Sequence, residues 1–77
     1  MADDFDTRII AITEAIDHVE AARNMVRCAT HTLVGADLSG AIDETKRTLY
    51  QLHMLHETLS SQKLTLLAAE ALEAPKQ

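Results

Sequence analysis

His53 and His56, three apart in the segment HMLHE, stand close enough in azimuth on a helix to share a metal ion. Glu57 follows directly, yet the order matches neither H-E-x-x-H nor H-x-x-E-H, the helical patterns that serve a zinc. A di-iron bundle site needs Glu-x-x-His on two helices, and that repeat is absent. Cys28 and His31 form a second pair at the same spacing. In a hairpin turning near residue 37 they would lie roughly 10 Å or more from His53 and His56, too far for one four-ligand centre. No metal is therefore expected. His56 reads as a hydrogen-bonded core histidine, His18 as packed among alanines, and His31 and His53 as surface or boundary residues. His18 and His56 fall at one level of such a hairpin, where two half-buried imidazoles would respond to pH; simple packing is the plainer reading.

Nucleophilic chemistry has no foothold. Ser60, Ser61 and Cys28 lie in helical patterns, with no glycine elbow, oxyanion loop or placed base. The only glycines are Gly35 and Gly40, so no glycine-rich loop cradles a phosphate. The expectation is a protein without catalytic residues or cofactor.

Composition narrows the remaining classes. The 77 residues make one domain, 1–77, near the size at which a single core is barely sufficient and oligomerisation often helps. Twelve Asp and Glu against seven Lys and Arg give a net charge of −5, with no basic stripe to neutralise phosphates. One Phe and one Tyr leave no stacking platform for single strands, so a nucleic-acid partner is not expected. A single cysteine excludes an intrachain disulfide and fits a reducing compartment. The start, Met-Ala-Asp-Asp-Phe-Asp, is acidic where a secretory signal is basic and then apolar. No apolar run approaches the roughly 20 residues that cross a bilayer. These features together predict a cytoplasmic protein of bacterial or phage type, with no membrane partner.

The elements that carry these residues are two helices and one break. Asp3, Asp4 and Asp6 suit the start of helix 1, about 5–34, where carboxylates meet free backbone N–H groups. Its large apolar residues recur at three and four: Phe5, Ile9, Ile12, Ile16, Val19, Val26 and Leu33, with Arg23 and Thr30 as polar places in the stripe. Beside them runs a second row, Ala11, Ala15, His18, Ala22, Met25 and Ala29, whose small members admit a close neighbouring helix. The break, VGADLSG, predicts a turn at about 35–39, with Gly35 as left-handed C-cap and Asp37 or Ser39 as the next N-cap. Helix 2 is expected at about 40–73, ended by Pro75 and a frayed tail at 75–77. Its inner stripe is Leu38, Ile42, Thr45, Leu49, Leu52, His56, Leu59 and Leu66, with Leu55 and Leu67 as flanks.

From Thr48 to Ala69 helix 2 carries only two charges, Glu57 and Lys63. A helix packed on one side shows a charged outer face over such a length, so more than one helix must cover this one. The predicted architecture is all-α: an antiparallel helical hairpin about 45 Å long, pairing with a second copy as a homodimeric four-helix bundle. Tyr50 and Met54 stand one turn apart on the outer side of helix 2, beside Glu57, and make a candidate site for a protein partner. Arg23 is a candidate interface arginine, or else a side chain reaching out of the stripe to Glu20. The function expected is a small non-enzymatic adaptor, regulator or inhibitor acting on another protein. The alternative is a helical dimer that modulates RNA: the chain resembles the small Rop-type RNA-binding dimers in shape, without a shared motif.

Overall fold

The computed structural model describes residues 3–73, with side chains from Phe5 onward. It holds two helices, α1 (Asp3–Gly35) and α2 (Ser39–Glu73), folded against each other as a hairpin. Both helices run to the edge of the break that the sequence marks. α1 begins at Asp3, so Asp6 lies inside the helix. The side chains of Asp3 and Asp4, and the expected terminator Pro75 with Lys76 and Gln77, lie outside the described residues. The helices are 33 and 35 residues long, and at about 1.5 Å per residue each spans roughly 50 Å. The hairpin is a rod with Cα extents of 62 × 15 × 14 Å, longer than expected from shorter helices.

Helix interiors normally disfavour threonine, whose hydroxyl competes for backbone partners. Here the competition is resolved within the helix. Thr13, Thr30, Thr32, Thr48 and Thr65 each donate to the carbonyl four residues back, and Thr45 donates to Ile42 three back. Their hydroxyls need no partner across the hairpin, and their methyl groups are left to pack.

The turn corrects the sequence reading. Gly35 is the last residue of α1 and does not take a positive φ; the left-handed residue is Asp37, at φ 59°. The Leu38 amide donates to the Leu33 carbonyl at 3.2 Å and the Asp37 amide to Val34 at 3.1 Å. These nested bonds form a Schellman motif, which satisfies carbonyls left open at the helix end. Aspartate is one of the few residues other than glycine that visits this region without prohibitive cost. At the start of α2, the Leu38 carbonyl accepts from the Ile42 amide at 2.9 Å, so Leu38 occupies the N-cap position rather than Asp37 or Ser39. Leu38 is also 51% exposed, which removes it from the inner stripe.

The remaining stripe residues pack as their spacing requires. Along the seam the covered positions on α1 are Phe5, Ile9, Ile12, Ile16, Val19, Arg23, Val26, Thr30 and Leu33, and on α2 Ile42, Thr45, Leu49, Leu52, His56, Leu59, Lys63, Leu66 and Glu70; Thr13, Ala15, Ala22, Ser60 and Ala69 beside it are half-buried as well. Both seam series step strictly by three and four, the narrow seam of an antiparallel coiled coil. A seam this narrow shelters little. Among the described residues Val19, at 9% exposure, is the one buried hydrophobic, and its neighbours in the seam are half-buried.

Candidate functional site

Seam residues one heptad apart line up along the rod, so the hairpin has two long edges of different chemistry. One edge carries Ile9, Ile16, Arg23 and Thr30 from α1 with Ile42, Leu49, His56, Lys63 and Glu70 from α2, all half-buried, so its apolar residues are interrupted by charges. Glu20 Oε2 lies 3.0 Å from His56 Nε2 across the hairpin. Asp6 and Glu70 share a hydrogen bond nearer the open end. That bond, followed by partial desolvation and repulsion from the Asp6 carboxylate, raises the Glu70 pKa above the ordinary carboxyl value of 4.5. On the same edge His53 Nε2 approaches Glu57 Oε2 at 3.3 Å within α2. A shallow groove of about 240 Å³ runs along α1 here, lined by Glu20, Arg23, Asn24 and Arg27.

The other edge is made by Phe5, Ile12, Val19, Val26 and Leu33 of α1 and Thr45, Leu52, Leu59 and Leu66 of α2, flanked by Ala15, Ala22, Ala69 and Leu55. Ala15, Ala22 and Ala69 are half-covered by the facing helix, whereas Leu55 remains 44% exposed and Met25 73% exposed. No ion pair within the described residues lies on this edge's central span.

Tyr50 and Met54, at 64% and 44% exposure, stand on the outer side of α2 with Glu57, away from the seam as expected. Leu64 extends the same outer side. Arg23 sits half-buried in the seam and lines the polar groove, but no ion pair among the described residues joins it to Glu20, whose carboxylate turns to His56 instead. The expected His18–His56 level is displaced by the register: His18 is exposed, and His56 meets Glu20. His31 and Cys28 are likewise exposed. Two seam residues escaped the sequence reading, Lys63 and Glu70, because a stripe built from apolar residues alone passes over charged side chains at heptad positions.

Among the described residues no group of three or more His, Cys, Asp or Glu is placed to hold a metal ion. No described helix is long and apolar enough to cross a membrane. What the arrangement offers is surface: one edge of paired charges, one apolar edge, and an outer tyrosine–methionine patch. Comparison with protein-family models, with curated proteins and with solved structures finds no match to this chain.

Proposed function

We propose that this chain is a non-enzymatic binding protein, a small helical adaptor, regulator or inhibitor that works in the cytoplasm as a homodimeric four-helix bundle and acts by covering a surface of another protein. The observation that carries this reading is the exposure of Tyr50 and Met54 on the outer side of α2. Neither residue supports the hairpin seam, and the charges beside them, Lys46, Arg47 and Glu57, stand at the ends of the patch where a polar rim can stay in water. Tyrosine adds large contact area with little side-chain entropy to lose and a hydroxyl for orientation. Glu57 borders the patch and supplies a polar rim, although its carboxylate is engaged by His53. The second reading, an RNA-modulating dimer, draws on Arg23 and Arg27 lining one groove. Its weakness is Glu20 in the same groove and the net charge of −5.

The test is affinity capture from the native cell, with wild type beside a Tyr50→Ala, Met54→Ala double variant. A protein retained by wild type and lost by the folded variant supports the reading. A variant that folds, dimerises and keeps full biological activity defeats it. RNA retained in a salt-sensitive way, and lost on Arg23→Ala or Arg27→Ala, would favour the second reading instead.

A further inference from the structure

We infer that the apolar edge of the hairpin is the homodimer interface, and that two copies pack on it antiparallel, the turn of one beside the open end of the other. The inference rests on the dimer reading above and assigns it a face and an orientation.

Area is the first argument. The hairpin exposes 5774 Å², whereas a compact monomer of this size exposes about 4,700 Å², an excess on the order of 1,000 Å². A standard interface buries about 800 Å² from each partner, so one symmetric contact removes most of the excess. Val19, the one buried hydrophobic among the described residues, belongs to this edge, and a second copy would turn its half-buried neighbours into a closed core.

Chemistry chooses between the edges. On the opposite edge, covering the hairpin would desolvate Glu20, Arg23, Arg27, Lys63 and Glu70, a costly set to bury. On the apolar edge the central surface is alanine, Met25, Leu55, His18, glutamine and threonine. Thr32, Thr48 and Thr65 fall on this edge with their hydroxyls already donated to their own helix, so at these three positions a partner meets methyl groups and strands no hydroxyl. Ala15 and Ala22 let a facing helix approach closely.

Charge sets the orientation. Among described residues flanking this edge the charged ones are Arg8, near the open end, and Glu44, near the turn. A two-fold axis lying in the interface at right angles to the rod brings Arg8 of each copy to the level of Glu44 of the other. A two-fold axis along the rod would instead bring like charges together, which is unfavourable. Glu44 already holds Arg47 at 2.6 Å on an exposed surface and keeps a second oxygen for another cation.

Sedimentation equilibrium at micromolar concentration, with circular dichroism on the same samples, tests the inference. Wild type should be a dimer; Ala22→Glu and Leu55→Glu should each raise the dimer Kd at least tenfold, and Tyr50→Lys should leave it within about twofold. Arg8→Glu should weaken the dimer several-fold, and adding Glu44→Lys should restore it. A monomeric wild type overturns the dimer reading and this inference together. A wild-type dimer that survives both Ala22→Glu and Leu55→Glu overturns the face while the dimer reading stands. Should those two variants unfold, the charge pair decides: weakening with rescue supports the arrangement, and no response to Arg8→Glu overturns it.

Discussion

Glu20 and His56, thirty-six residues apart in sequence, meet at 3.0 Å across the hairpin and mark its register. Asp6 and Glu70 repeat the relationship further along, since both pairs of residue numbers add to 76. The seam side chains set this register by packing, and the Glu20–His56 contact adds little free energy. With Glu20 about half exposed, solvent screening holds such a pair to roughly 0.5 kcal/mol. A double-mutant cycle of Glu20→Ala and His56→Ala, read by urea unfolding, should return a coupling of that size. A coupling of about 2 kcal/mol or more would make the pair a structural determinant.

The turn yields a prediction opposite to its sequence signature. Gly35 is helical with negative φ, and a methyl group added there meets nothing within 4 Å. Gly35→Ala should therefore stabilise the hairpin by about 0.5–1 kcal/mol through helix propensity and a less flexible unfolded chain. Asp37→Gly should also stabilise, by about 1 kcal/mol, since Asp37 takes the left-handed conformation that glycine adopts without a side-chain cost. Loss of stability in Gly35→Ala would show that this residue is the left-handed one.

Acid should act on the open end through Glu70. Its folded-state pKa is raised above the ordinary 4.5 by the Asp6 hydrogen bond, desolvation and the Asp6 charge. The protonated form is therefore favoured in the folded state, and the contribution is full below the unfolded value and lost as pH rises through the folded one. Glu70→Gln, which keeps a donor without the charge, should unfold at a higher temperature than wild type at neutral pH. The gap should close as pH falls below about 4. A gap independent of pH would place the effect outside the Asp6–Glu70 pair.

Replacing Tyr50 and Met54 with alanine should leave the far-ultraviolet circular dichroism unchanged and unfolding free energy within about 0.5 kcal/mol, as expected for exposed helix positions away from the seam. The same pair buried in the homodimer interface would cost several times more, with concentration-dependent melting. One thermal series at two concentrations separates these outcomes.

The two-helix architecture and nearly all of the seam were legible in the amino-acid order because helix periodicity is a local property. Residues three and four apart share a face whatever lies opposite, so Ile9 to Leu33 and Ile42 to Leu66 declared their inward sides before any partner was known. The outward placement of Tyr50 and Met54 followed from the same rule. Lys63 and Glu70 were passed over because local apolarity does not reveal that a charged side chain stands at a seam position. Other features depend on the chain's return path. Which of Gly35 and Asp37 takes the left-handed conformation depends on where the Schellman bonds close. His56 meets Glu20 and not His18 because those two residues flank Val19 on opposite sides of the seam, and only the pairing of the helices brings Glu20 level with His56. The division of the rod into a charged edge and an apolar edge likewise exists only once the helices are paired. Each edge combines residues from both helices, and their antiparallel register decides which ones meet.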